Sequence, residues 1–182
     1  MTLTRRSLAG SLAALLPVLP AFGATPTSDP QLDQEAATAL RRLIAGNQAA
    51  RLVNEKALAV LVFPKIVKVG FVLGGAYGEG ALRQDGKTIG YYNSAAASYG
   101  LQAGAQWFGY ALFFMNAGAL KYLDESAGFE IGVGPSVVVV DKGAASKFSS
   151  TTVTQDVYAF IFNQKGLMAG LGIEGSKITK IR

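Results

Sequence analysis

Residues 70–80 read GFVLGGAYGEG, and five of these eleven residues are glycine. Glycine at this density suits either a phosphate-binding loop or a sheet whose strands lie very close together. A Walker loop needs a lysine and a hydroxyl residue after its last glycine, but Ala81 and Leu82 follow here. A dinucleotide-binding loop needs a helix at the glycines, but Asp85-Gly86 predicts a hairpin turn. We therefore interpret the glycines as points of close backbone approach within a sheet and predict no nucleotide binding.

The segments around these glycines alternate apolar with polar or small residues, which is typical of β-strands. The alternation begins after Pro64 and continues through the glycines, and the Asp-Gly turn joins the next two strands. Further strands are predicted over residues 97–116, 129–143 and 156–181, the last as a hairpin that turns at Asn163–Gly166.

Three helices are predicted from caps, stop signals and apolar spacing. They run from a cap at Ser28 or Asp29 to Gly46-Asn47, from Asn54 to near Pro64, and over residues 117–127 after a cap at Asn116. The predicted fold is therefore α+β: a curved antiparallel, glycine-rich sheet with N-terminal helices and one short helix near 117–127.

The first 23 residues are typical of a bacterial signal peptide. Arg5 and Arg6 precede an apolar run over Leu8–Leu19, and small residues lead to a predicted cleavage point after Gly23. The paired arginines indicate the twin-arginine route, with an ordinary secretory signal as the alternative. We expect a periplasmic protein whose residues 24–182 form one domain.

The composition excludes several kinds of site. The 182-residue chain contains no cysteine and no histidine, which excludes disulfides, thiol catalysis, Ser-His-Asp chemistry and zinc sites built on those residues. The net charge of +5 is too modest to indicate nucleic-acid binding. We predict a non-enzymatic protein without a metal or cofactor.

The residues resemble those of a known family. Five segments resemble, in order, the signature of the SYLF-domain family, and the resemblance covers roughly residues 35–182: LVFPKIVKVGFVLGGAYGEGAL (61–82), GLQAGAQ (100–106), FFMNAGAL (113–120), VGP (133–135) and QKGLMAGLGIEGSKI (164–178). The resemblance implies an α+β lipid-binding domain with a curved antiparallel sheet. Eukaryotic members have affinity for phosphoinositides, and some of them also bind actin. For this chain the resemblance implies binding of anionic or apolar lipid, with no catalytic activity.

Basic residues beside aromatic ones are the candidate lipid contacts. Lys65 and Lys68 lie next to Phe63 and Phe71, so we predict that they contact a phospholipid or membrane surface; the alternative is solvated lysines that protect a strand edge. Arg41 and Arg42 on the first helix form a second basic group, with a solvated helix face as the alternative. The other function left open is a structural or protein-interaction module with a partner in the cell envelope.

The aromatic cluster over residues 107–114 has two interpretations. It is either core packing or the wall of a groove for acyl chains. Charge alone gives weak lipid binding, since four basic residues at about 1 kcal/mol each correspond to roughly millimolar affinity. Useful affinity would therefore require apolar insertion or an enclosed lipid pocket.

Overall fold

The computed structural model describes residues 28–70, 73–99, 104–125, 128–140, 153–166, 173 and 175–181. It confirms the predicted α+β class, with three helices and one strongly curved, mostly antiparallel sheet. The predicted signal peptide lies outside the described residues. The elements are α1 (Pro30–Gly46), α2 (Gln48–Asn54), β1 (Ala59–Gly70), β2 (Leu73–Gln84), β3 (Lys87–Tyr99), β4 (Gly104–Phe114), α3 (Ala117–Glu125), β5 (Phe129–Glu130), β6 (Val137–Val140), β7 (Val157–Gly166) and β8 (Lys177–Lys180).

The eight strands lie in the order β5-β8-β3-β2-β1-β4-β7-β6. Only the β6–β7 pair is parallel among the strand pairs of the described residues. The long strands β1 to β4 therefore form the centre of the sheet. The Asp85-Gly86 turn, which joins β2 to β3, lies at one end of these strands. The opposite end, where β1 stops at Gly70 and β2 starts at Leu73, is called the distal end below.

The caps that predict α1 and α3 are present. The Asp29 side chain accepts a hydrogen bond from the Leu32 amide at 3.0 Å, and Asn116 Oδ1 accepts one from the Ala119 amide at 2.9 Å. Each bond satisfies an amide that lacks a partner in the first helical turn. The hairpin prediction is also confirmed, because Asp85 and Gly86 have φ angles of 49° and 78°, as a type I′ turn requires.

The predicted second helix from Asn54 to near Pro64 is wrong. Helix α2 ends at Asn54, and the apolar run that follows is the start of β1. This strand lies between two others and is covered on both faces, so it has the continuous apolar sequence of a buried strand and not the alternation of a half-exposed one. Pro64 falls where the register of β1 shifts between Phe63 and Ile66, at a bulge that tolerates its missing amide.

Two predictions near the C-terminus are also wrong. The expected strand over 129–143 is divided into β5 and β6, because Gly132 and Gly134 turn the chain between them with φ angles of 104° and 89°. The expected terminal hairpin does not form, since β7 continues to Gly166 and β8 pairs with β3 and β5. The left-handed Asn163 (φ 53°) belongs to an irregular register within β7 and not to a turn.

Two apolar layers cover the sheet, one on each face. On one face, here called the α1 face, helices α1 and α2 pack on a layer that includes Val60, Val62, Ala81, Phe113 and Phe160. On the other, the α3 face, helix α3 packs on a layer that includes Leu61, Phe63, Tyr110, Leu112 and Phe114. Alternation along each strand assigns its neighbouring residues to opposite layers.

Two glycines of β2, within the glycine-rich stretch at 70–80, lie where a side chain would collide with β1. A Cβ atom on Gly80 would lie 2.6 Å from Phe63 Cδ1 and 2.7 Å from the Val62 carbonyl oxygen, and one on Gly78 would collide with the Lys65 carbonyl oxygen. A Cβ on Gly75 would meet only the Ala96 carbonyl oxygen at 3.6 Å, an ordinary contact. The glycines at 78 and 80 therefore allow β2 to approach the bulged strand β1.

Asp156 joins three segments near the start of α3. Its Oδ2 accepts hydrogen bonds from the Ser136 amide at 3.0 Å and the Ser136 hydroxyl at 2.9 Å, and its Oδ1 accepts one from Asn116 Nδ2 at 2.7 Å. The Ser136 amide first, and then the two side-chain donors, lower the pKa of Asp156 from its ordinary value of 3.8.

We expect Asp156→Asn to melt a few degrees below the wild type at neutral pH. A carboxyl group whose pKa is lower in the folded state adds stability that is complete above its unfolded pKa and disappears as pH falls through its folded pKa. The variant should therefore also lose less stability than the wild type below about pH 4. Thermal melts of both proteins across this range measure the effect, and identical pH profiles would contradict it.

Candidate functional site

The fold distributes the four predicted cations among three places. Arg42 and Lys65 line one cleft on the α1 face. Arg41 lies on the opposite flank of α1, where it lines a separate cleft with Arg83 of the hairpin. Lys68 lies on the α3 face, because it follows the buried Ile66 by two residues along β1. The structure therefore brings Lys65 together with Arg42 and separates it from Lys68.

The shared cleft is formed by one flank of α1 and the bulge of β1. It has a volume of about 360 Å³. The bulge at Pro64 turns Lys65 toward α1, and the irregular register of β7 brings Asn163 to the same place. The residues that line it are Gln34, Glu35, Thr38, Ala39, Arg42, Pro64, Lys65 and Asn163.

The charges of this cleft are only partly balanced. In the described part of the chain, ion pairs link Lys121 with Glu125 and Lys180 with Asp124, and neither Arg42 nor Lys65 is in one. Glu35 is the carboxylate that lines the cleft, and it accepts a hydrogen bond from Gln31 Nε2 at 2.9 Å. Two exposed cations and one carboxylate leave the cleft net positive, which suits an anionic group.

A larger, more apolar cleft adjoins the first across Arg42 and Asn163. Its volume is about 640 Å³, within the usual range of small-molecule sites. It is lined by α1, β6 and β7, and its apolar members include Leu43, Val139, Val140 and Phe162. A ligand with a charged head and a hydrocarbon part could contact both clefts at once.

Phe63 does not lie at the surface. It is fully buried in the layer under α3, with its ring centroid 4.7 Å from that of Tyr110. The predicted aromatic contact beside Lys65 therefore cannot come from Phe63, and its other candidate, Phe71, lies outside the described residues. Burial also raises the pKa of Tyr110, whose hydroxyl donates to Ser94 Oγ at 2.7 Å, so this group belongs to the core.

A comparison with protein families supplies independent information. Residues 95–182 match the model of a family described as Ysc84, Las17-binding protein actin regulator. These residues are similar to the Ysc84 (SYLF) family. Over this part of the chain the match confirms the resemblance drawn from the sequence, and its description is that of a binding protein. No curated protein matches the chain.

The SYLF match includes Trp107 and Asn163 but not Arg42 or Lys65. Lys65 lies on β1, and this strand pairs directly with β4 of the matched part. Across the described residues, no three Asp, Glu, His or Cys side chains are grouped as a metal site. None of the helices described is long and apolar enough to cross a membrane.

Sequence reasoning missed a group of exposed apolar residues on the sheet. It lies on the α1 face near the distal end, beyond the part that α1 and α2 cover, and is called the distal patch. Its members are Val67, Val69, Leu73, Tyr77 and Trp107. Trp107 comes from a distant part of the sequence, and the register of β1 with β2 and β4 places all five residues side by side.

Proposed function

We propose that this SYLF-type protein is exported to the periplasm and binds anionic phospholipid at a membrane surface without catalysis. The observation that carries the proposal is the cleft in which Arg42 and Lys65 meet. These residues come from a helix and a strand bulge, and neither is in an ion pair with a described residue. The family match supports a binding role, and the order of basic, apolar and small residues at the N-terminus supports export.

The donors around the cleft suit a phosphodiester. An arginine guanidinium can present two parallel N–H groups to phosphate oxygens, and the lysine adds a compact positive charge. The Thr38 hydroxyl lies in the same lining and accepts a hydrogen bond from Arg41 Nη2 at 3.0 Å. Asn163 and Gln34 carry amide donors in the same lining.

Two cations do not account for useful affinity by themselves. At about 1 kcal/mol per basic residue near an anionic surface, Arg42 and Lys65 would favour anionic over neutral lipid by roughly 30-fold. The adjoining apolar cleft provides room for hydrocarbon, whose burial contributes about 0.8 kcal/mol per methylene group. The charged cleft would then select the headgroup, and apolar contact would supply the rest of the affinity.

We expect the mature protein to co-sediment with vesicles in proportion to their phosphatidylglycerol content. The preference over pure phosphatidylcholine vesicles should weaken as salt rises, because exposed charges are screened over about 8 Å at physiological ionic strength. Sedimentation at several lipid compositions and two salt concentrations measures it. Equal binding to neutral and anionic vesicles would contradict the anionic part of the proposal.

A second candidate is a protein-interaction module of the cell envelope. It is favoured by the description of the matched family, which names binding to a protein. The same sedimentation series separates the two candidates. A protein-interaction module would remain in the supernatant with every vesicle composition, whereas a lipid-binding protein would move into the pellet.

A further inference from the structure

We infer that the distal patch inserts into the interfacial region of an anionic bilayer and so orients the protein on the membrane. This inference rests on the proposed function and extends it, because the patch is separate from the Arg42–Lys65 cleft. It names a second contact with the same membrane, made by the uncovered part of the sheet.

The patch is a continuous row across three strands. Val67 pairs with Tyr77 on one side and with Trp107 on the other. Side chains directly opposite each other in antiparallel strands are in contact range. Val69 follows toward the distal end, and Leu73 stands at the start of β2 on the same face. Leu73 is 67% exposed, Tyr77 51% and Trp107 41%.

The chemistry of this row suits the boundary between lipid headgroups and hydrocarbon. Tryptophan and tyrosine are enriched at that boundary because each has an apolar ring and one polar group. The Tyr77 hydroxyl donates to Glu79 Oε1 at 3.1 Å. Partial burial first, and then Glu79, raise the pKa of Tyr77, so the phenol is neutral at physiological pH. Glu79 lies toward α1 along β2 and therefore away from the distal end.

The charges around the patch favour an anionic membrane over a second copy of the chain. Lys165 pairs in register with Trp107 at one border of the row. Lys65 precedes Val67 by two residues and lies at the border nearest α1. Both lysines would face anionic headgroups if the row entered the bilayer. Glu79 adds one negative charge beside Tyr77, so the borders of the patch remain net positive. In a symmetric dimer formed through the patch, two net positive surfaces would face each other.

The patch also supplies what the basic residues lack. Burying one valine or leucine side chain strengthens binding by about tenfold or more. Several such side chains would raise this weak electrostatic contact to a useful membrane affinity. The distal patch and the charged cleft lie on the same face of the sheet, and Lys65 borders both of them.

Trp107 makes the inference directly measurable, because it is the sole tryptophan of the chain. We expect its fluorescence to shift to shorter wavelength when mixed phosphatidylcholine–phosphatidylglycerol vesicles are added to the mature protein. Vesicles of the same composition with brominated acyl chains should quench it. The shift reports that the indole ring has moved to a less polar surrounding, and the quenching requires that the ring enters the bilayer and does not merely approach it.

A matched pair of variants tests the patch independently of tryptophan. Val69→Asp places a charge within the patch, and Val133→Asp places the same charge in the turn between β5 and β6. Both valines are 53% exposed. Val69→Asp should bind mixed vesicles at least about tenfold more weakly, and Val133→Asp should bind as the wild type does. Thermal melts establish that each variant is folded.

The outcomes separate this inference from the proposed function. If the protein sediments with anionic vesicles but Trp107 fluorescence is neither shifted nor quenched, the insertion is overturned and the proposed function stands. Quenching by neutral and anionic brominated vesicles alike would support insertion and overturn the anionic preference. Absence of vesicle binding would overturn both. A fluorescence shift that depends on protein concentration alone would assign the patch to a second copy and overturn the inference.

Discussion

The variant Gly80→Ala is expected to melt roughly 4–12 °C below the wild type, because overpacking costs about 2–3 kcal/mol at a tight site and each kcal/mol shifts Tm by about 2–4 °C in a chain of this size. The new methyl group would lie 2.7 Å from the Val62 carbonyl oxygen and 2.6 Å from Phe63 Cδ1. The aromatic ring is fully buried and cannot swing away, so strands β1 and β2 would have to separate.

Gly75→Ala is the matched control for this prediction. It places the same methyl group on the same strand, where the nearest atom beyond the chain neighbours is the Ala96 carbonyl oxygen at 3.6 Å. Replacing a glycine that has room by alanine reduces the entropy of the unfolded chain, so this variant should melt at or slightly above the wild-type temperature. Equal melting temperatures for the two variants would contradict the steric role of Gly80.

The elements that sequence predicts correctly depend on local signals. Asp29 and Asn116 are caps whose hydrogen bonds reach only three residues along the chain. The Asp85-Gly86 turn likewise depends on two residues that adopt positive φ. The SYLF resemblance used five ordered segments, and the family match at 95–182 confirms it.

The start of β1 was misassigned because its burial is a tertiary property. A run of apolar residues is compatible with a buried helix or a strand covered on both faces, and the layers that cover β1 come from distant segments. The prediction of a terminal hairpin is wrong for a similar reason. The partner of β8 is β3, which precedes it by more than seventy residues, and no local turn signal records that pairing.

The candidate site was only partly predictable for the same physical reason. Sequence identified Arg42 and Lys65 as basic residues near apolar ones, but their meeting depends on the bulge at Pro64. In a regular strand Lys65 would lie on the same face as Phe63, and the bulge places it on the α1 face instead. Trp107 and Phe108 are adjacent in sequence, yet one is 41% exposed and the other 4%, because strand alternation sends them to opposite faces.

A charge-reversal pair gives the largest expected effect on lipid binding. Arg42→Glu with Lys65→Glu reverses both cations of the cleft, whereas Lys68→Glu with Lys87→Glu reverses one cation on the α3 face and one beside the hairpin turn. The two double variants have the same net charge, so their long-range attraction to an anionic surface is matched. Any difference between them reports the local contribution of the cleft.

The most direct test is the affinity of these two double variants for phosphatidylglycerol vesicles, measured by co-sedimentation with melting curves as the check on folding. We expect the Arg42/Lys65 variant to bind roughly a hundredfold or more below the wild type, since reversal replaces attraction by repulsion at about 1 kcal/mol for each unit of charge. The Lys68/Lys87 variant should keep most of the affinity. Equal losses in the two variants, or unchanged binding by a folded Arg42/Lys65 variant, would contradict the assignment of the cleft as the anionic lipid site.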